Sequence, residues 1–317
     1  MRRAWLPLML WMLAACGGER AATTEPVATL NKAAPLVPAG CVPGTMYPDT
    51  LHIGSIPYMG TEVADRVFPD IAAGLTEELG MPVEWITGDD YEAAVDLLIS
   101  GKVEVASLSP LAYVKAREKI PCLKLLAMQV SRGDTRYSSF ILVRKDRGVT
   151  SVKQLDGKRI GFVSPTSASG YLFPMATLIR AGLDPDRVLE NAVFLEAHPK
   201  VIKAVVNGEI DAGATFFGAV EAARAERIDI GLLRVLALSG RIPFDAVVAR
   251  PEIDPGLARR IRDAFLALNT TTDRGRTALG HRLQINGWVL PSEDFYAPVR
   301  ETLALVRGAT TDPERAE

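Results

Sequence analysis

The chain has 317 residues, of which 48% are hydrophobic and 23% are charged, and its formal net charge at pH 7 is −2. Its length is typical of about two domains, and its apolar content is sufficient for a buried core in each. The near-neutral charge argues against a basic surface for nucleic acids, so we expect no nucleic-acid partner.

The N-terminus predicts a secretory signal peptide over residues 1–15. Arg2 and Arg3 precede the apolar run WLPLMLWMLAA, which is too short to span a bilayer, and Cys16 follows directly. The string LAAC resembles the lipobox of bacterial lipoproteins, which implies cleavage before Cys16 and lipidation of its thiol. The alternative is an ordinary signal peptide followed by an incidental cysteine.

Residues 16–48 are rich in Gly, Ala, Thr, Pro and Glu, and we expect a flexible tether there between the lipid and the fold. With Cys16 lipidated, Cys41 and Cys122 are the cysteines that could form a disulfide in an exported protein. The sequence leaves open whether this bridge forms. We expect the protein to be exported and membrane-anchored, facing the periplasm or the cell exterior.

Strands and helices alternate in the next part of the chain. The runs LHIGSIP, PVEWIT and VEVASL are predicted strands, and predicted helices over residues 69–79 and 91–99 end near Gly80 and at Gly101. The run YSSFILVRKD (137–146) is then predicted to be a strand that crosses to a second lobe.

The same pattern returns beyond residue 150. KRIGFVSP, NAVFLEA and IDAGAT are predicted strands, and predicted helices over residues 171–181 and 199–206 end near Gly182 and at Gly208. The run LLRVLALSG (232–240) is predicted to cross back, and residues 241–317 to return to the first lobe.

The two copies align without gaps over YEAAVDLLISGKVEVASLSPLAYVKARE and HPKVIKAVVNGEIDAGATFFGAVEAARA. This repeat predicts an α/β protein with two similar βα lobes joined by a two-strand hinge. Residues 49–139 and 240–317 would form the first lobe, and residues 140–239 the second. Chance similarity between generic strand–helix segments is the alternative.

Ligands of open α/β sheets bind beyond the carboxyl ends of the strands, and inter-lobe clefts favour binding sites. The candidates at these ends are Tyr58, Tyr91, Ser109, the segment 164–170, His198 and Phe216. Tyr91 and His198 occupy equivalent places in the two copies, so we expect them to face one cleft from opposite walls.

The segment SPTSASGYLFP (164–174) places Ser167, Ala168, Ser169 and Gly170 just before a predicted helix. The first turn of a helix has free amide groups and a partial positive charge, which together favour an anion. Serine hydroxyls would add donors, and the small residues would leave the approach open. The alternative is that one serine simply caps the helix.

Residues from about 50 to 300 resemble the phosphate/phosphite/phosphonate-binding family of ABC-transporter solute receptors. The resemblance lies in GDDYEAAVDLLISGKVEVASLSPLAY, YSSFILVRKDRGVTSVKQLDGKRIGF, SPTSASGYLFP, AHPKVIKAVVNGEIDAGA and RIPFDAVVAR. It implies a periplasmic-binding-protein type II fold, a small phosphorus oxyanion (phosphite, phosphate or methylphosphonate) as ligand, and ABC permease and ATPase subunits as partners. We expect a monomer with no cofactor and no metal.

The resemblance also implies roles for single residues. Ser167 and Ser169 would donate to phosphoryl oxygens, His198 would reach the same anion, Tyr91 would close over it, and Asp245 would line the cleft. Three of these have structural alternatives: Tyr91 as a packing residue, His198 as a solvated cap, and Asp245 as the end of a strand. One of Phe216 and Phe217 would face the cleft.

The chain departs from the family pattern at three positions. Ala168 stands where the family usually has a third hydroxyl, and Leu108 stands near the place of a second tyrosine. Gly218 lies near the place of the carboxylate that aminoethylphosphonate-binding members have, which argues against an amino-phosphonate ligand.

Two other functions remain as alternatives. Ser167, His198 and either Asp211 or Asp245 superficially offer a catalytic triad, but the chain has neither a Gly-x-Ser-x-Gly elbow nor a P-loop, so we expect no enzyme. The same fold could also bind a sulfonate or a carboxylate, or serve as the ligand receptor of a sensor kinase.

Overall fold

The computed structural model describes residues 33–280 and 284–311. Its strands are β1 (Leu51–Ser55), β2 (Val83–Thr87), β3 (Val105–Leu108), β4 (Lys124–Ser131), β5 (Arg136–Arg144), β6 (Ile160–Phe162), β7 (Ala192–Phe194), β8 (Ala212–Phe216), β9 (Leu233–Pro243), β10 (Ala246–Ala249) and β11 (Ile285–Val289). Its α-helices are α1 (Thr61–Leu79), α2 (Tyr91–Ile99), α3 (Pro110–Lys119), α4 (Phe173–Arg180), α5 (Pro185–Glu190), α6 (His198–Asn207), α7 (Phe217–Ala225), α8 (Pro255–Ala267), α9 (Asp273–Leu279) and α10 (Ala297–Ala309).

The strands form two sheets, with the orders β11-β4-β10-β3-β1-β2 and β7-β6-β8-β5-β9. We call the first sheet with α1–α3, α8 and α9 the first lobe, and the second sheet with α4–α7 the second lobe. In each lobe one strand, β1 or β6, lies between two parallel partners, β2 and β3 or β7 and β8. The prediction of an α/β fold with two similar lobes is confirmed.

Equivalent glycines give the two lobes the same packing. Gly54 in β1 leaves room for Val103, which would lie 3.1 Å from an added Cβ, and Gly161 in β6 does the same for Ile210 at 2.4 Å. Gly101 and Gly208 end α2 and α6 with φ of 76° and 73°, a backbone conformation that favours glycine. The repeat therefore has a structural basis.

Two helix starts differ from the predictions. Helix α1 begins at Thr61 rather than at residue 69, and Pro69 lies inside it. The helix predicted over residues 171–181 is a π-helical turn, Ala168–Leu172, followed by α4, which ends at Arg180. Proline lacks a backbone N–H and is disfavoured in a helix interior, so a helix that continues through Pro69 was not expected.

The two predicted crossing strands are β5 and β9, which pair antiparallel with each other inside the second sheet. The chain crosses between the lobes in the short connections that precede β5 and follow β9. Asp134 in the first connection forms an ion pair of 2.7 Å with Arg241 near the end of β9. Asp245 lies in the second connection, between the strand ends of the two lobes.

Helix α10 contacts both lobes. Arg307 pairs with Glu118 of α3 in the first lobe, and just beyond the helix Thr311 donates from its backbone nitrogen to Asp186 of α5 in the second lobe. Residues after 240 were predicted to return to the first lobe, and β10 and β11 do belong to its sheet. Thr311, the last of the described residues, by contrast contacts the second lobe.

Residues 33–48 lie against the body, although the sequence predicted a flexible tether there. Cys41 and Cys122 form a disulfide, and Met46 pairs with Ile253 in an isolated parallel bridge. Cys16 and the signal peptide lie outside the described residues. Over residues 33–280 and 284–311, every helix is too short or too polar to cross a membrane.

Candidate functional site

A cavity of about 440 Å³ lies between the two lobes. Of the predicted site residues, it is lined by Tyr58, Tyr91, Ser109, Ser167, Ala168, Ser169, His198, Phe216 and Asp245. Gly170 is not in its lining. The structure thus brings together nearly all of the residues that the sequence placed at strand ends.

The Ser167 side chain caps the π-helical turn and also faces the cavity. Its Oγ accepts a hydrogen bond from Gly170 N at 2.9 Å, and the first intrahelical bond runs from Leu172 N to Ser167 O. A hydroxyl that accepts one bond keeps its proton for another acceptor. The amides of Ala168 and Ser169 precede that first bond, so they have no acceptor within the turn. Capping and anion binding are therefore compatible.

His198 is buried, with 2% of its surface exposed, so it is not a solvated cap. Its Nδ1 lies 3.0 Å from Thr215 Oγ1, and its Nε2 lies 3.5 Å from Ser169 Oγ. Burial lowers the pKa of His198 to about 3, so the ring is neutral at physiological pH. The backbone N–H of His198 donates to Tyr58 O at 3.2 Å, which joins the lobes at the edge of the cavity.

Asp245 presents the one carboxylate among the predicted residues of the cavity. It is half-buried and belongs to the lining of the cavity. Burial raises the pKa of Asp245 to about 7. Near neutral pH the protonated and the ionised forms of this carboxyl group are therefore both populated.

Three tyrosines of the cavity lining lie within electrostatic reach of Asp245. Burial, and next the Asp245 carboxylate, raise the pKa values of Tyr58, Tyr91 and Tyr137. The Ser167 hydroxyl partly offsets the rise for Tyr91, and the Ser169 hydroxyl does so for Tyr137. All three phenols stay protonated and can donate hydrogen bonds into the cavity.

Tyr137 was not among the predicted site residues. It stacks on Phe244 at 4.7 Å between ring centroids and meets Phe216 edge-on at 5.5 Å. Phe216 in turn packs edge-on against the His198 ring at 4.7 Å. These aromatic rings form an apolar wall beside the polar groups. Phe217 also lines the cavity, although 46% of its surface is exposed.

Among the residues that the structure describes, the cationic side chains of the lining are Arg66 and Arg132. Both belong to the first lobe or its connection; Arg66 pairs with Glu62, and Arg132 stacks on the Phe217 ring at 4.4 Å. Glu221, one turn beyond Gly218, lines the cavity and pairs with Arg224 at 3.3 Å. The prediction against an amino-phosphonate rests on Gly218 itself and stays a prediction, although Glu221 supplies a carboxylate one turn further along the same helix.

The residues of the suspected catalytic triad are not arranged as one. Ser169 rather than Ser167 lies beside His198, whose Nδ1 faces a threonine hydroxyl instead of a carboxylate. Asp211 is absent from the cavity lining and accepts a hydrogen bond from Arg159 N at 3.0 Å. Ser-His-Asp chemistry requires a carboxylate that orients the imidazole.

The family described as "ABC transporter, phosphonate, periplasmic substrate-binding protein" matches residues 53–296. The phosphate-import protein PhnD of Mycolicibacterium smegmatis is 26% identical over 230 residues, which cover 69% of this chain and 72% of that protein. A probable ABC transporter phosphite-binding protein, PhnD1 of Prochlorococcus marinus, is 29% identical over 174 residues, or 53% of this chain and 58% of that protein.

Solved structures share the fold. PhnD1 of Prochlorococcus marinus, in complex with methylphosphonate, superposes with a TM-score of 0.73 at 22% identity, covering 82% of this chain and 99% of that one. The topology is thus that of a periplasmic binding protein with a two-lobed type II fold. Because the family match spans most of the sequence, the chain belongs to the family of periplasmic phosphonate substrate-binding proteins of ABC transporters.

Proposed function

We propose that the protein binds a small phosphorus oxyanion (phosphite, phosphate or methylphosphonate) between its lobes and delivers it to the permease and ATPase subunits of an ABC importer. The observation that carries this proposal is the buried group of neutral donors formed by Ser167, Ser169 and His198 with Asp245 among them. Relatives that are named for phosphate import and phosphite binding support the same ligand class.

The donors of the second lobe hold the anion. The hydroxyls of Ser167 and Ser169 and the amides of Ala168 and Ser169 donate to phosphoryl oxygens, and the turn adds its partial positive charge. The neutral His198 ring accepts a hydrogen bond from the Thr215 hydroxyl at Nδ1 and donates one from Nε2 toward the same oxygens. Tyr91 donates from the opposite lobe, and the lobes close on the bound anion.

Asp245 makes binding depend on one proton that the carboxyl group and the ligand share. An ionised carboxylate beside an ionised phosphoryl oxygen is repulsive unless a proton lies between them. With the carboxyl ionised, it accepts from a P–OH group; with the carboxyl protonated, it donates to P–O⁻. In either case the complex holds one shared proton in a strong charge-assisted hydrogen bond.

Calorimetric titration tests the ligand class. Methylphosphonate, phosphite and phosphate are titrated into the protein, with methanesulfonate and acetate as anions of the rival classes. We expect saturable binding of at least one phosphorus oxyanion, tighter than that of either rival. Tighter binding of methanesulfonate or acetate than of all three would overturn the proposal. Uptake of the bound anion by cells with and without the protein then separates transport from sensing.

We further propose that a lipid on Cys16 anchors the protein and that the lobes, residues 49–139 with 240–317 and residues 140–239, move as units. The lipobox-like string LAAC supports the anchor. Replacing Cys16→Ser should release the protein from the membrane fraction, whereas a protein that stays membrane-bound contradicts a thiol-linked anchor. Size-exclusion chromatography with light scattering tests the expected monomer.

A further inference from the structure

The turn Ser164–Thr166, just before the anion segment, belongs to the second lobe but is held by the first. Ser164 and Thr166 supply two hydroxyls of the SPTSASG motif, yet neither lines the cavity. Both residues are buried, with 4% and 7% of their surfaces exposed. Their partners are therefore protein groups rather than a ligand.

Glu92 accepts from both hydroxyls. Its Oε1 lies 3.0 Å from Ser164 Oγ and 3.0 Å from Thr166 Oγ1, and these two oxygens are 2.9 Å apart. Ser164 Oγ also accepts from Thr166 N at 3.1 Å, which closes the turn. A carboxylate can accept both hydroxyl protons at once, and Glu92 lies in the first turn of α2, where negative charge is favoured.

Two further groups of the first lobe hold the carbonyls of the same turn. Ser109 Oγ donates to Thr166 O at 2.9 Å, and Lys115 Nζ donates to Pro165 O at 3.2 Å. The Ser109 hydroxyl proton is thus hydrogen-bonded to the turn. Ser109 therefore lines the cavity but does not have this proton free to donate to a ligand. Hydroxyl and carbonyl groups of all three residues of the turn bond to the opposite lobe.

We propose that Glu92 is a positioning residue: it ties the first lobe to the Ser164–Thr166 turn and thereby sets where Ser167 and Ser169 present their donors to the anion. The inference rests on the proposed function, because it assigns the anion to Ser167 and Ser169. The turn is also hydrogen-bonded to the anion segment that follows it, since Ser167 N donates to Ser164 O at 3.0 Å. A shift of the turn is therefore a shift of the anion segment.

The test compares Glu92→Ala, Glu92→Gln and the control Asp96→Ala, which removes a carboxylate one turn from Glu92 on the same exposed face of α2, where the structure shows no hydrogen bond to the Ser164–Thr166 turn. Calorimetry measures the dissociation constant for methylphosphonate, and scanning calorimetry measures Tm without ligand. We expect Glu92→Ala to weaken binding about tenfold or more, because hydrogen bonds to a charged group are lost. Glu92→Gln should recover part of the affinity, since its amide oxygen still accepts, and Asp96→Ala should bind like the wild type.

A double-mutant cycle with Thr166→Val identifies the contact. Because both substitutions break the same hydrogen bond, their combined loss of affinity should be smaller than the product of the two separate losses. The inference is wrong if Glu92→Ala binds methylphosphonate within twofold of the wild type, even where its Tm falls, since a purely structural role would give that pattern.

Failure of the proposed function has a different signature. In that case the wild type binds none of the three phosphorus anions, and small-angle scattering without ligand still tests the tie between the lobes. Glu92→Ala should then show a larger radius of gyration than the wild type and Asp96→Ala, because the lobes have lost a connection. Equal radii of gyration for all three proteins would overturn the proposal that Glu92 ties the lobes together.

Discussion

The two lobes share one topology but present different chemistry at the ends of their strands. Tyr91 and His198 begin equivalent helices and are both buried at the cavity, yet one is a phenol and the other a neutral imidazole. After β1 the first lobe places Tyr58, whereas after β6 the second lobe places the Ser167–Ser169 segment. The repeated framework fixes where side chains converge, and substitutions at those positions determine what each lobe contributes.

If the shared framework provides stability and the side chains at the strand ends provide binding, a change in the framework should affect stability alone. Removal of the disulfide is the change for which we expect the largest effect. Cys41 and Cys122 are 81 positions apart and lie on the first lobe. The pair Cys41→Ser and Cys122→Ser should lower the free energy of unfolding by about 2–5 kcal/mol, because a long loop of the unfolded chain is no longer constrained. Urea denaturation measures the loss.

Methylphosphonate affinity is the control for that variant. Neither cysteine lines the cavity, so the dissociation constant should stay within twofold of the wild type. A large loss of affinity without a loss of stability would show that the N-terminal segment acts on the site.

The next largest effect concerns Asp245, which lies between the lobes. Its pKa is raised from 3.8 to about 7, so the folded state keeps a proton that the unfolded state loses. Stability therefore falls as pH rises from about 4 to about 7, and the penalty is complete above pH 7. At about 1.4 kcal/mol per pKa unit it amounts to at most about 4 kcal/mol.

Asp245→Asn should accordingly raise Tm at pH 8 and change it little at pH 4. The same variant should flatten the pH dependence of methylphosphonate affinity, which in the wild type should fall as pH rises above about 7. Asp211→Asn, outside the cavity, is the matched control. A wild-type affinity that stays constant from pH 6 to pH 9 would contradict the shared proton.

A smaller effect separates the donors of the second lobe from simple capping. Ser167→Ala should weaken methylphosphonate binding by about 1.5–3 kcal/mol, since the lost hydroxyl donates to a charged oxygen. Ser100→Ala, whose hydroxyl donates to its own helix at Asp96 O, should leave the affinity unchanged. If Ser167→Ala lowers Tm alone, the serine serves only as a cap.

The smallest effect is expected in the first lobe. Tyr91→Phe keeps the buried ring and removes one neutral donor, so binding should weaken by about 0.5–1.5 kcal/mol. Tyr113→Phe is matched because its hydroxyl bonds to Glu293 at 2.9 Å, outside the cavity. A larger loss for Tyr91→Phe than for Ser167→Ala would reverse the roles assigned to the lobes.

The sequence predicted the fold and most of the cavity because both depend on local pattern. Alternating strands and helices, together with Gly101 and Gly208, reveal the repeat, and strand ends are ligand sites in α/β sheets. Tyr137 escaped that rule because β5 runs antiparallel to β8. The beginning of β5, rather than its end, therefore lies beside the cavity, with Ser139 paired to Phe216 at the end of β8.

Other features depend on contacts between distant segments. Glu92 meets Ser164 and Thr166 only after the lobes are assembled, and no spacing in the sequence relates these residues. Glu221 lies a full helical turn from Gly218, so a position-by-position comparison missed its carboxylate. The disulfide was one of two open possibilities until the structure placed Cys41 and Cys122 together.

Helix α10 has a mechanical consequence for how the lobes can move. The two adjacent chain crossings alone would allow the lobes both to open and to rotate relative to each other. Helix α10 packs on α3 of the first lobe and on α4 of the second, so it adds a further connection between the lobes. Any opening or twisting of the lobes must therefore also shift α10 against α3 or against α4.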